Sequence, residues 1–264
     1  MSLNEFKDII YEKDENGIYT ITINRPERRN ALSQRTFFEI GKVLSDMQVD
    51  KNARVLIITG AKEAHAFSSG GYFDLKFFSQ NSESIKGKKP KVKFWNFSKP
   101  IIAALNGYAI GAGITMILMG ADLIYIAKDA WIQFNFVKRG VMAQSAMSFI
   151  LPLYVGFQKA KEILFFGGKI TAFEAEKLGL VNRILPKEEL LAYARMQAKR
   201  LLSQSKSSLS IELKKKLIHK NFQEVILRTH ELEKTRNRKL YNTRDFREAI
   251  RAFKEKREPR FKGK

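Results

Sequence analysis

The 264-residue sequence contains no cysteine. That excludes a disulfide framework, a thiolate metal site, an iron–sulfur cluster and a cysteine nucleophile. Histidine is nearly absent too. His65, His219 and His230 stand in unrelated contexts, so no metal-binding pattern is expected. No apolar run reaches the roughly 20 residues that span a bilayer. The longest candidate, Ile101 to Ile126, is broken by Asn106, Asp122 and several glycines. The opening stretch MSLNEFKDIIYEKDE carries acids and no apolar block of signal-peptide type. These features predict a cytoplasmic protein that does not enter a membrane. Acidic residues are also short: 27 Asp and Glu face 48 Lys and Arg, a net charge of +21. Such an excess draws phosphate-bearing partners, or is simply a solvated surface. It is concentrated late, with 24 Lys and Arg against 10 Asp and Glu from Arg183 onward.

What is present is globular. With 44% hydrophobic residues, the chain can bury a substantial core. Ile18-Tyr-Thr-Ile-Thr-Ile23 alternates β-branched residues and stops at Asn24-Arg25-Pro26, which reads as a strand entering a turn. Ser33 caps a helical pattern with apolar Phe37, Ile40, Leu44 and Met47. Val55–Ile58, Ile101–Leu105 and Leu123–Ile126 read as buried strands. Thr171-Ala-Phe-Glu174 is a capping box, with Gly179 placed to end its helix. Lys187 to Glu258 gives no strand signal, and Phe246, Ala249, Ile250 and Phe253 form one apolar stripe. The class is therefore α/β, divided into a core of residues 1–190 and a helical portion of residues 191–264. The polar stretch from Ser79 to Pro90 reads as a surface loop.

Two glycine-bearing turns stand out. Asn106-Gly-Tyr-Ala-Ile-Gly-Ala-Gly113 leads into the apolar helical run Ile114–Met119. It is neither a dinucleotide fingerprint nor a P-loop. Ala66-Phe-Ser-Ser-Gly-Gly71 is the second, downstream of the Val55 strand. Either turn alone reads equally as a tight connection. Together they can aim two backbone N–H groups at one oxygen, the requirement for stabilising an enolate.

The ordered segments ITINRPERRNAL, VLIITG, AFSSGG, KPIIAALNGYAIGAG, ADLIYIA, KITAFEAEKLGLVNRILP and REAIRAFKEKREPRF resemble the crotonase (enoyl-CoA hydratase/isomerase) superfamily over nearly the whole chain. The resemblance implies a spiral of β-β-α repeats with a helical C-terminal trimerisation region. It implies a homotrimer or a hexamer built as a dimer of trimers, and a role in fatty acid metabolism. It implies no tightly bound cofactor and an acyl-CoA thioester as substrate. The thioester oxygen would lie between the N–H groups of Gly71 and Ala112. Arg28, Ala66, Ser68, Phe253 and Lys256 are the implied coenzyme A contacts.

The sequence departs from the family at its acids. The two glutamates of the hydratases are replaced by Thr115 and Phe136, and the isomerase acid by Gln144. An amide cannot serve as a base near neutral pH. Asp74, after the Gly71 turn, is a candidate substitute. Three alternatives stay open. One is a hydratase/isomerase using another acid. Another is a decarboxylase of the polyketide β-branching type, in which Lys138 or a lysine of the Ser79–Lys93 loop, with His230, would protonate the enolate. The last is a non-catalytic binder of acyl-CoA, or of RNA through Lys214–Lys216 and Arg236–Lys239.

Overall fold

A computed structural model of the chain describes residues 6–72, 90–204 and 208–264. Chain order is β1 (Ile9–Lys13), β2 (Ile18–Ile23), α1 (Gln34–Val49), β3 (Val55–Gly60), β4 (Ala66–Ser68), α2 (Pro90–Asn96), β5 (Ile101–Leu105), β6 (Tyr108–Ile110), α3 (Ala112–Gly120), β7 (Leu123–Ala127), β8 (Trp131–Gln133), α4 (Met147–Val155), α5 (Phe157–Phe166), β9 (Lys169–Thr171), α6 (Ala172–Lys177), β10 (Arg183–Leu185), α7 (Lys187–Gln204), α8 (Ser208–Tyr241) and α9 (Arg244–Lys254). The strands make a six-stranded sheet, β1-β2-β3-β5-β7-β10, and a four-stranded sheet, β4-β6-β8-β9. Each winding of the chain adds one strand to each sheet: β3 then β4, β5 then β6, β7 then β8. This is the crotonase spiral of strand, strand and helix.

Local chemistry explains the longer elements. The β-branched runs of β2 and β3 and the apolar run of β5 are buried on both faces, as strands inside a parallel sheet must be. Ser33 caps α1 by accepting from the Thr36 N–H at 3.0 Å, and the Thr36 hydroxyl accepts from the Ser33 N–H at 3.0 Å. Thr171 and Glu174 form the expected capping box at the start of α6. Asn106 closes the exits of β3 and β5: its amide donates to the Gly60 carbonyl at 2.7 Å and accepts from the Gly60 N–H at 3.2 Å.

Three expectations are refined. Ala66–Ser68 and Tyr108–Ile110 are strands, not parts of turns, so the glycine turns follow β4 and β6 instead of β3 and β5. Three-residue strands are too short to show alternation in sequence. The division at residue 190 falls inside α7, whose Leu190, Ala194 and Ala198 are buried in the main core. In α9, Phe246, Ala249 and Ile250 are buried, but Phe253 is 48% exposed. Asp74 and most of the Ser79–Pro90 stretch lie outside the described residues. No described helix is long and apolar enough to cross a membrane.

Candidate active site

Strands β4 and β6 are parallel neighbours, pairing Ala66 with Tyr108 and Ser68 with Ala109. Their turns therefore leave the small sheet side by side at the same end. A Cβ built on Gly71 would stand 3.7 Å from the Ala112 Cβ. The approach depends on glycine at two further places. Gly70 has φ +102, and a Cβ there would meet the Ile110 carbonyl at 2.9 Å. A Cβ on Gly113 would meet the Ser68 Cβ at 2.8 Å.

Among the described residues, the N–H groups of this pair are not used by the surrounding ladders. Leu32 bridges the Gly71 strand through Gly70 O at 2.7 Å and Tyr72 N at 3.0 Å. Alternation along an extended strand then turns the Gly71 N–H to the opposite side. Gly111 donates to the Gln133 carbonyl at 2.9 Å. Ala112 is the first residue of α3, where an N–H has no acceptor within the helix. Gly71 is exposed and Ala112 partly so.

The three positions where the resemblance implies acids carry none. Thr115, one turn along α3 from Ala112, is fully buried, its hydroxyl 3.4 Å from that of Ser145. Phe136 is half-buried, and a Cβ on Gly111 would lie 3.8 Å from its ring. Gln144 donates through Nε2 to the Tyr241 hydroxyl at 2.8 Å. Burial pushes the Tyr241 phenol up to about 12, so it is neutral near pH 7. Tyr241 lies 97 residues from Gln144 and was not visible in the sequence.

The remaining candidates are dispersed. Arg28 is exposed, its guanidinium 6.0 Å from the ring centre of Tyr72, the residue after Gly71. Ala66 and Ser68 are fully buried. The Ala66 carbonyl accepts from the Asn30 amide at 2.9 Å, and Ser68 Oγ donates to the Asn30 carbonyl at 2.8 Å. Asn30 thus ties the turn before α1 to β4. Phe253 lies under the Arg139 guanidinium at 4.1 Å, and exposed Lys256 follows α9 with φ +54. Lys138 and His65 are exposed, while His230 is half-buried on α8. The Lys214–Lys216 run is not one basic patch. Lys215 points inward and pairs with Asp122 at 2.7 Å, leaving Lys214 and Lys216 outside. Among the described residues no three His, Asp or Glu side chains gather as a metal site.

Comparison with known proteins agrees with this architecture. The family model described as enoyl-CoA hydratase/isomerase matches residues 13–264. The crotonyl-CoA hydratase of Syntrophomonas wolfei is 32% identical over 263 residues, covering 97% of this chain and 98% of that protein. The 1,2-epoxyphenylacetyl-CoA isomerase of Escherichia coli is 28% identical over 270 residues, covering 97% and 99%. The crystal structure of an enoyl-CoA hydratase/isomerase from Pseudoalteromonas atlantica superposes with a TM-score of 0.87 at 29% identity, covering 97% of this chain and all of that one. On its fold, its paired glycine turns and these matches, the chain belongs to the enoyl-CoA hydratase/isomerase family of the crotonase superfamily.

Proposed function

We propose that this chain binds an acyl-CoA thioester and stabilises the enolate formed from it between the N–H groups of Gly71 and Ala112. The observation that carries the reading is the adjacency of the two turns, close enough that a Cβ placed on Gly71 would lie 3.7 Å from the Ala112 Cβ. Two fixed donors favour a developing oxyanion over the ground-state carbonyl, because no solvent must reorganise as charge forms. The positive end of α3 adds to this. Arg28 beside Tyr72 suits a phosphate of the coenzyme A tail, with Phe253 and Lys256 as further tail contacts. Coenzyme A arrives as part of the substrate, and no other cofactor is needed. The protein works in the cytoplasm, and its place is in fatty acid metabolism.

The reaction follows the hydratase/isomerase pattern without its glutamates. Gln144 can orient a water or an acyl group but cannot take up a proton near pH 7, and Thr115 is fully buried beside Ser145. Asp74 is retained as the acid that would do so. The Phe136 ring beside Gly111 favours a second reading, an enolate-forming step that needs no base. In the decarboxylation of a malonyl-type thioester, the carbon–carbon bond electrons pass into the enolate, CO2 leaves, and Cα then takes a proton.

The working assembly is a homotrimer or a dimer of trimers. Leu209, Leu213 and Leu217 on α8, at spacing i, i+4 and i+8, are each more than half exposed, and an outward apolar stripe of this kind suits subunit contact.

The deciding experiment mixes the protein with 2-enoyl-CoA and 3-enoyl-CoA in heavy water and resolves products by mass. Addition of water means hydration. Deuterium uptake with a moved double bond and no added water means isomerisation. Both substrates returned untouched, with a malonyl-type thioester turned over, selects the second reading. No turnover of any of the three contradicts an enolate-forming role.

A further inference from the structure

The inward face of α8 is polar where it meets the segment that carries Gln144. Glu233, Asn237 and Tyr241 recur every four residues and so share one side of the helix. Asn237 accepts from the Met142 N–H at 2.9 Å and donates to the Met142 carbonyl at 3.1 Å. Tyr241 accepts from Gln144. Glu233 accepts from the Ala146 N–H and the Ser148 N–H, both at 2.8 Å, and from the Ser148 hydroxyl at 2.7 Å. Three successive turns of one helix thus grip residues 142, 144, 146 and 148. Glu233 and Asn237 are almost wholly buried.

The gripped backbone is one that does not hold itself. Ser145 and Ala146 both adopt positive φ, 70° and 58°, which side-chain-bearing residues keep only when their surroundings over-determine them. The same segment touches the candidate site, since Ser145 Oγ is 3.4 Å from Thr115 Oγ1 and Thr115 is one helical turn from Ala112. Gln144 is therefore held from behind by α8 while its neighbour contacts the helix that begins at the oxyanion position.

We propose that Tyr241 is the positioning residue for Gln144, and that the carboxamide it orients meets the acyl part of the thioester. The acyl end of the site is then completed by α8 of the same chain. This rests on the acyl-CoA reading given above. A polar but non-titrating group at this place suits an acyl chain with an oxygen near the thioester, which the amide can contact without exchanging a proton.

The test compares acetoacetyl-CoA with free CoA by calorimetry. Wild type is expected to bind acetoacetyl-CoA about tenfold more tightly than CoA. Gln144→Ala should remove that preference. Tyr241→Phe keeps the ring packed on Phe246, 5.1 Å away, and removes only the hydroxyl; it should cut the preference about threefold. The double variant should match Gln144→Ala alone, because a residue acting through another adds nothing once that one is gone. Free CoA affinity should stay unchanged in all three. A second readout uses wild type labelled with 15N-glutamine: the Gln144 side-chain amide signal should move with acetoacetyl-CoA and not with CoA. Additive losses in the double variant, or an amide signal that stays still while acetoacetyl-CoA is preferred, overturn the positioning role and leave the acyl-CoA reading standing. A wild type that binds neither ligand overturns that reading and this inference with it.

Discussion

Helices α3 and α8 are held in the same molecule by opposite means. From Gly113 to Gly120, α3 is buried throughout, with Ile114, Met116, Ile117, Leu118 and Met119 all in the main core. Each such side chain contributes on the order of 2 kcal/mol through removal from water. The 34-residue α8 turns Lys215, His219, Gln223, Glu233, Asn237 and Tyr241 inward, where each makes a hydrogen bond or ion pair, while Leu209, Leu213 and Leu217 face outward. Apolar burial is non-directional and tolerant. Polar docking fixes register, because each hook has one partner, and it fails when a single partner is lost. The turn that ends at Ala112 is thus built on the tolerant part, and Gln144 is set by the exacting part.

The largest effect should come from the apolar side. Ile117→Ala leaves a cavity in the fully buried core and should cost about 3 kcal/mol of global stability by chemical denaturation. A loss well under 1 kcal/mol would mean that α3 is not held by packing. Next, Glu233→Ala strips the acceptor from the buried Ala146 N–H and the Ser148 N–H, and should cost about 2 kcal/mol. Its signature is local: hydrogen exchange should speed up in α8 and in residues 142–148 but not in β3 and β5. Uniform acceleration would erase the distinction between the two regions.

A smaller effect should follow acidification. His219 stacks on Trp95 at 4.0 Å and donates from Nδ1 to the Trp95 carbonyl at 2.7 Å. Burial is the main cause holding its imidazole below the ordinary histidine value, and the nearby Lys215 cation acts in the same direction. The folded state therefore binds the proton less readily than the unfolded chain. Stability from this group is complete above the unfolded value of about 6.5 and is lost as pH falls toward the lower folded value. Thermal melts should show a fall in Tm as pH drops below about 6.5 that His219→Gln reduces. An identical fall in that variant would remove His219 from the docking. The smallest change in folding should come from Leu213→Gln, within about 0.5 kcal/mol. If the proposed trimer uses this stripe, light scattering should nevertheless show a smaller assembly for the variant than for wild type, and an equal mass would remove the α8 stripe from the subunit contact.

The same contrast decides what could be read from sequence. Runs of β-branched residues such as Val55–Gly60, and caps such as Ser33 and Thr171, announce local structure by local chemistry, and they lie where expected. Strands β4 and β6 do not, because three residues carry no period. Gly71 and Ala112 were legible as small residues in paired turns. Their meeting depends on the β4–β6 pairing, which only the fold supplies. The polar face of α8 was not legible at all. A search for apolar stripes finds its leucines, which point outward, and overlooks Glu233, Asn237 and Tyr241, whose partners lie 85 to 97 residues away. Lys215 was read with its neighbours as a surface charge, because no pattern in Lys214–Lys216 marks which lysine turns inward toward Asp122.

The most direct test of the chemistry is Ala112→Pro. Proline is well accepted at the first position of a helix, so this change removes one N–H and little else. The measurement is deuterium exchange into the α-position of an acyl-CoA thioester, wild type against variant, with free CoA affinity as the control for an intact fold. If Gly71 and Ala112 hold the enolate oxygen, exchange should fall about a hundredfold or more, roughly 3 kcal/mol of transition-state stabilisation, while free CoA binds as before. Exchange that continues at the wild-type rate would contradict the oxyanion role of this pair.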